Sequence, residues 1–168
     1  MPAINFIARA VLLGSLTVVP ALCFDFAAGL KAYEDHDYET AVKEWRPLAE
    51  AGEAAAQFNL GLMYLDGNGV PLSYAEAASW FRRAADQGYA KAQYNLGSLY
   101  AVGHGVHKDA STAYVWFNLC AAKGDNKCAA QRDLVSKKMK PRDLDAAQRR
   151  AAEWKAVPAA PIPDPKQP

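Results

Sequence analysis

The sequence predicts an all-α protein built as a solenoid of about four stacked helix pairs. Residues 53–88 and 89–124 align without a gap and are identical at 15 of 36 positions. Each unit contains two stretches with apolar residues at helical spacing, separated by a glycine-rich break. β-Branched residues are sparse after the first twenty positions, which disfavours a β-sheet protein.

The first 23 residues have the layout of a secretory signal peptide. A short start with Arg9 as its one charge precedes an apolar run over 10–19, and polar sequence follows. The small residues Ala21 and Cys23 place cleavage after one or the other, which predicts a periplasmic or secreted protein. An uncleaved anchor and an ordinary buried helix remain alternatives, although a membrane span needs roughly 20 apolar residues.

Residues 24–52 are interpreted as a degenerate first repeat. Five of its positions fall in register with the second helix of the next unit, and its internal loop is shortened to Asp35–Asp37. The register matches Ala41, Trp45, Leu48, Ala49 and Gly52 to Ala77, Phe81, Ala84, Ala85 and Gly88.

The repeats over 53–88 and 89–124 have one two-helix plan. A helix over 54–65 is broken by residues 67–71, because glycine provides positive φ and proline cannot continue a helix. Ser73 and Glu76 form a capping box that starts the second helix, and Asp109 takes the capping position one unit later. The apolar stripes of the second helices are Ala77, Trp80, Phe81, Ala84 and Ala85, then Ala113, Trp116, Phe117, Cys120 and Ala121. Neighbouring units must stack to bury them.

Residues 125–156 are predicted to form a C-terminal capping helix pair, because the repeat signature gives way to charged sequence there. An inner apolar stripe persists at Leu144, Ala147, Ala151 and Trp154. From 157 to 168 the chain is rich in proline and alanine, and this composition predicts a disordered tail.

Two strings carry a family resemblance. Ala-Gln-Phe-Asn-Leu-Gly-x-x-Tyr at 56–64 and Ala-Gln-Tyr-Asn-Leu-Gly-x-x-Tyr at 92–100 resemble the Sel-one-like repeat, a relative of the tetratricopeptide repeat. The Gly-x-Gly-Val and Ala-x-x-Trp-Phe-x-x-x-Ala stretches that follow are similar too. The resemblance covers roughly 25–155 and implies a right-handed α/α superhelix. Members are usually adaptors that assemble protein complexes, many of them in the bacterial envelope.

Cys120 and Cys128 occupy repeat positions that elsewhere hold alanine, four residues on either side of Gly124. Their spacing resembles that of the secreted cysteine-rich branch of the family, in which such pairs are bridged. The resemblance therefore implies a disulfide, which also suits an exported protein. Two reduced thiols acting as small buried side chains are the alternative.

The charge balance disfavours a nucleic-acid partner. Without residues 1–23 the chain has 18 basic and 18 acidic residues, whereas nucleic acid is usually met by a strongly basic face. Residues 24–119 carry 7 basic and 12 acidic groups, and residues 120–157 carry 10 and 5. The basic C-terminal end indicates either an acidic partner or an ordinary solvated surface.

The sequence predicts no catalytic residue, cofactor or metal. His104 and His107 bracket a loop with Asp109 as the one ligand nearby, and we interpret them as loop-tip polar residues. Two other functions stay open. One is an envelope hydrolase or β-lactam-binding protein of the cysteine-rich repeat type, although nothing resembles a Ser-x-x-Lys element. The other is a structural subunit of a larger complex.

The leading prediction is a non-enzymatic interaction module of the cell envelope. In related solenoids the first helices line a concave face, where repeated amides can bind a peptide backbone. Alternatively, the asparagines bond the adjacent loop and stabilise the repeat. A position that differs between the two units is a candidate for specificity. The candidate binding residues are Asn59, Asn95, Gln57, Gln93, Leu62 and Ser98.

Overall fold

The structure is a computed structural model that describes residues 24–158. The predicted signal peptide and residues 159–168 of the predicted tail lie outside this range. The described range contains eight α-helices and no β-strand, which confirms the all-α solenoid. The helices are α1 (Phe26–Glu34), α2 (Tyr38–Glu50), α3 (Ala54–Asp66), α4 (Tyr74–Asp86), α5 (Ala90–Val102), α6 (Ala110–Ala121), α7 (Asn126–Ser136) and α8 (Pro141–Glu153).

Side-chain caps start the second helices of the two central units. The Ser73 hydroxyl accepts a hydrogen bond from the Glu76 N–H at 3.2 Å. The Asp109 carboxylate accepts from the N–H groups of Ser111 and Thr112, at 2.9 and 3.2 Å. These bonds satisfy backbone donors that have no partner inside the helix, and so they fix where α4 and α6 begin.

The helices stack in chain order from α1 to α7, each packing against the next. The order changes at the end, where α8 packs against α6, the helix that α7 also contacts. The last pair therefore closes the stack instead of extending it. Among residues 24–158, no helix is both long enough and apolar enough to cross a bilayer.

Helices within a pair approach closely because a glycine faces an aromatic ring. A Cβ built on Gly61 would lie 2.6 Å from the ring of Phe81, and one built on Gly29 would lie 2.7 Å from Cδ1 of Trp45. Real Cβ atoms do not approach neighbours so closely, so both positions need glycine for space. The shared contact gives residues 24–52 the internal packing of the complete repeats, despite their shorter loop.

Trp80 and Trp116 lie in equivalent surroundings one unit apart. Trp80 belongs to the same buried cluster as Ala56, Leu60 and Met63. Trp116 belongs to the same cluster as the corresponding residues Ala92, Leu96 and Leu99. The repeated sequence thus produces a repeated core, as burial of each stripe by its neighbour requires.

The chain after α8 lies against the stack. Val157 is the first residue of the segment for which composition predicts disorder, and its N–H donates to the Asp86 carbonyl at 2.8 Å. Trp154, which leads into this segment, packs edge-on against Trp116 with ring centroids 6.4 Å apart. The chain therefore stays against the stack after α8 ends.

Candidate functional site

The first helices of the pairs, α1, α3, α5 and α7, form what we call the first-helix face. Between α1 and α3 this face has an apolar cavity of about 100 Å³, the N-terminal cavity. Its walls combine aliphatic and aromatic side chains with one amide. The lining residues are Leu30, Tyr33, Trp45, Asn59 and Leu62. Such a lining suits an apolar side chain whose neighbouring backbone needs a hydrogen-bond partner.

Between α5 and α7 lies a larger opening of about 470 Å³, which we call the C-terminal groove. Val102 and Leu134 stand at its edge with 58% and 52% of their surface exposed. Lys108 and Lys138 are the charged residues of its lining. The remaining lining residues are Ala101, Ala110, Gln131 and Val135. The groove therefore combines an apolar floor with positive charge.

The structure brings two of the predicted binding residues together. Asn59 and Leu62 are half-buried neighbours in the N-terminal cavity. Asn95 and Ser98 are also half-buried, but each donates to the carbonyl four residues earlier in α5, at 3.2 and 3.0 Å. The Asn95 amide thus bonds its own helix and not the adjacent loop. A binding role for these four residues stays a prediction.

Gln57 and Gln93 lie elsewhere, because their side chains are only 2% and 0% exposed. Gln57 Nε2 donates to the Ala49 carbonyl at 2.9 Å, and Gln93 Nε2 donates to the Ala85 carbonyl at 3.2 Å. Each amide thus ties a first helix to the end of the preceding second helix. The glutamines face the junctions between units, so they do not line the first-helix face that the sequence pattern suggested for them.

A row of turns links the units, and a ladder of hydrogen bonds runs along it. Gly52, Gly88 and Gly124 stand 36 residues apart with φ of 104°, 85° and 89°, which favour glycine. Gln87 Nε2 donates to the Gly52 carbonyl at 2.9 Å, and Lys123 Nζ donates to the Gly88 carbonyl. We call this feature the turn row. A long polar donor directly before Gly88 and before Gly124, but not before Gly52, was its sequence signal.

A second repeated contact joins α2 to α3 and α4 to α5. Arg46 donates to the Tyr64 hydroxyl at 3.1 Å, and Arg82 donates to the Tyr100 hydroxyl at 2.6 Å. The Arg82 guanidinium also lies over the ring of Trp116, 5.1 Å from its centroid. The sequence pattern did not predict these contacts, because the arginine is not one of the positions at which the two repeats are identical.

Cys120 and Cys128 form a disulfide that joins α6 to α7, with Cα atoms 5.8 Å apart. This confirms the pairing that the family resemblance implied. Within residues 24–158, these sulfurs and the Asp125 carboxylate are the one group of ligand-type atoms close enough to hold a metal. The two sulfurs are bonded to each other, however, and the Asp125 carboxylate accepts hydrogen bonds from the Lys127 and Cys128 N–H groups as the cap of α7. All three groups therefore already have partners.

The capping carboxylate of Asp109 has a perturbed pKa. Partial burial pushes this pKa upward, but hydrogen bonds from Thr112 and Ser111 and the positive charge of Arg150 outweigh burial. The pKa is therefore lowered from its ordinary value. The carboxylate is ionised at neutral pH, as a cap at a helix N-terminus requires.

These features define a class of protein: a stack of helix pairs joined through repeated junction contacts, with open grooves along its first helices. The comparison with known families agrees. Residues 54–89 and 90–125 each match the Sel1 repeat. The chain thus contains two Sel1 repeats, and such repeats generally serve as protein–protein interaction modules.

Solved structures support this assignment, whereas no curated protein matches the sequence. One similar structure is c5321, a protective antigen present in uropathogenic Escherichia coli strains that displays an SLR fold. It is 34% identical with a TM-score of 0.71, covering 76% of this chain and 29% of that chain. Another is a Sel1 repeat protein from Oxalobacter formigenes, 29% identical with a TM-score of 0.62, covering 77% of this chain and 54% of that one. The present chain thus spans only part of each.

Proposed function

We propose that this chain is a non-catalytic interaction module of the bacterial cell envelope that holds a peptide or a partner protein on a concave first-helix face. The N-terminal cavity carries the proposal. There Asn59 and Leu62 meet side chains from two other helices around an apolar opening. Asn59 makes no hydrogen bond within the described residues that would occupy its amide. An apolar pocket with one available amide suits an anchoring side chain and its backbone.

The cell envelope is proposed as the location for two reasons. A disulfide such as Cys120–Cys128 persists in oxidising compartments and is rare in the cytosol. The first 23 residues have the pattern of an export signal. Cell fractionation with intact-mass measurement tests this. We expect an envelope protein that begins after Cys23 and has no titratable thiol, or one that begins after Ala21 and has Cys23 as its one titratable thiol. A cytosolic protein with an intact N-terminus would contradict the location.

The partner at the C-terminal end is proposed to be acidic. Lys108 and Lys138 border the apolar C-terminal groove, and no carboxylate is part of its lining. An acidic segment with apolar side chains would therefore complement both the charge and the surface of this groove. Such an interaction should weaken with added salt, because exposed charges are screened.

Affinity capture from envelope extract, followed by titration of the purified partner against the chain, tests binding at the first-helix face. Leu62→Glu puts a charge into the N-terminal cavity, whereas Ser79→Glu puts the same charge on an exposed site of α4. We expect the first variant to lose the partner and the second to keep it, with unchanged circular dichroism for both. Equal capture by both folded variants would refute binding at this cavity. Asn59→Ala/Asn95→Ala then tests the amides.

The acidic-partner proposal has its own variant pair. Lys108→Glu/Lys138→Glu reverses the charge of the C-terminal groove, and Lys43→Glu/Lys127→Glu makes the same net change at exposed sites outside it. We expect only the first pair to weaken binding and to abolish its salt dependence. If the two pairs weaken binding equally, the effect comes from net charge and the groove has no specific role.

A further inference from the structure

The chain beyond α8 crosses the turn row instead of leaving the protein. Trp154 and Ala156 lie over the turn at Gly88, where a Cβ built on the glycine would be 3.7 Å from each of their side chains. The Val157 N–H then bonds the Asp86 carbonyl at the end of α4. The chain from Trp154 to Val157 thus lies along the turn that joins the second and third units.

The described chain ends at the wall of a cavity. This opening of about 240 Å³ lies between the ends of α2 and α4 and is bordered by Glu50–Gly52, Arg83 and Gln87. Val157 and Pro158 form part of its wall. We call it the edge cavity. The chain therefore already occupies its entrance, and the residues that follow in the sequence begin there.

The walls of the edge cavity are held in place and offer a donor. Gln87 bonds both the Gly52 carbonyl and Gln57 Oε1, at 2.9 and 2.8 Å, which fixes the side facing α2. The Arg83 guanidinium lies over the ring of Trp80, 4.5 Å from its centroid, and its Nη2 donates to the Glu50 carbonyl at 3.5 Å. A proline-rich strand has carbonyl acceptors but few N–H donors, so a wall with a guanidinium donor suits it.

The sequence after Pro158 has the composition and the length for this site. Residues 159–168 include four prolines, which favour an extended polyproline II conformation that advances about 3.1 Å per residue. Helices of neighbouring units pack about 8–10 Å apart, so about three such residues span that distance. Asp164 lies within this length and can pair with Arg83.

We propose that the edge cavity is a binding site for an extended proline-rich strand, and that residues 159–168 of this chain occupy it. The strand continues the path of Val157 and reaches the turn at Gly52, so it straps the third, second and first units together along the turn row. This site is separate from the first-helix face and does not depend on the proposed function.

Photo-crosslinking tests the occupant directly. A benzoylphenylalanine placed at Ile162 of the full chain should crosslink within the same molecule to residues 48–57, as mapped by mass spectrometry. Crosslinks that fall elsewhere, or no crosslink, would overturn the proposal. Crosslinks to residues 48–57 of a second copy would also overturn it, because the occupant would then come from another molecule.

Two variants and one spectroscopic comparison provide the controls. Ala51→Trp fills the edge cavity and should reduce the crosslink several-fold, whereas Ala122→Trp adds the same ring at the open turn by Gly124 and should not. A chain that stops after Pro158 should shift the NMR signals of Gly52, Arg83 and Gln87 relative to the full chain. Superimposable signals at these residues, or equal crosslinking in both folded tryptophan variants, would refute occupancy.

Discussion

The two Sel1 repeats share a sequence signature, yet their junctions with the preceding units differ in polar contacts. In the earlier junction Gln87 bonds the Gly52 carbonyl and also donates to Gln57 Oε1 at 2.8 Å. In the later junction Lys123 bonds only the corresponding turn carbonyl. Gln93 Oε1 is buried there without a hydrogen-bond partner among the described residues.

The comparison shows that one variable position distinguishes two otherwise equivalent interfaces. The other polar contacts of the two junctions match, since Gln57 and Gln93 each donate to a carbonyl of the preceding second helix. Arg46 and Arg82 likewise each donate to a tyrosine hydroxyl of the next first helix. The residue before the turn glycine is Gln87 in the earlier junction and Lys123 in the later one. Only the glutamine donates a hydrogen bond to the buried side-chain amide of the first helix. An unsatisfied buried acceptor costs about 1–3 kcal/mol. The later junction is therefore the weaker one in polar terms, and it lies beside the disulfide.

Removing a buried aromatic ring should cause the largest loss of stability, and the loss should be the same in both repeats. Phe81→Ala and Phe117→Ala each remove a buried ring packed on a glycine, so each should lower the free energy of unfolding by about 3–5 kcal/mol. Urea denaturation followed by circular dichroism measures this, with the exposed residue Leu72→Ala as the control. Clearly unequal losses would show that the apolar interfaces are not equivalent.

Loss of the disulfide should affect only the later half. Cys120→Ala/Cys128→Ala opens a loop whose ends are eight residues apart, and the chain-entropy model assigns such a loop about 2.5 kcal/mol. Hydrogen exchange should rise in α7 and α8 and stay unchanged in α3 and α4. A uniform rise along the chain would mean that the stack unfolds as one unit.

The two helix caps should differ in their response to acid. Ser73→Ala and Asp109→Ala should each cost about 1 kcal/mol at pH 7. The pKa of Asp109 is lower in the folded than in the unfolded chain, where it is about 3.9. Its contribution is therefore present above pH 4 and is lost as the pH falls through the folded pKa.

Urea titrations of the wild type and both cap variants at several pH values measure this difference. The gap between wild type and Asp109→Ala should narrow in acid, while the gap for Ser73→Ala stays constant because a hydroxyl does not titrate. A constant gap for both variants would contradict an ionised cap at Asp109.

The smallest expected effect concerns the hydrogen bonds that differ between the two junctions. Lys123→Gln copies the earlier junction into the later one and gives Gln93 Oε1 a donor, so it should stabilise the protein by about 0.5–1.5 kcal/mol. Gln87→Lys makes the reverse change and should destabilise it. Thermal and urea unfolding measure both signs. If Lys123→Gln is neutral or destabilising, the unpaired oxygen is not what separates the two junctions.

Local sequence was sufficient for the helix starts and for the repeat. Ser73 and Asp109 cap their helices as predicted, because a cap needs only residues within one turn of itself. The other half of the predicted capping box is absent, since the Ser73 N–H donates to the Tyr64 carbonyl and not to the Glu76 side chain. The orientation of Gln57 and Gln93 was not predictable in the same way. Both lie on first helices that are partly apolar on several sides, so periodicity alone does not say which side meets the neighbouring unit.

The sequence by itself determined an all-α stack and its 36-residue period, because these depend on spacing along one chain, whereas the pairing of Cys120 with Cys128 was implied by the family resemblance. Only the tertiary structure decided that Gln57 and Gln93 face the junctions, that α8 packs on α6, and that Val157 bonds Asp86. Those outcomes depend on how each helix is rotated against its neighbours. That rotation is set by the combined packing of several units and is not encoded in any one of them.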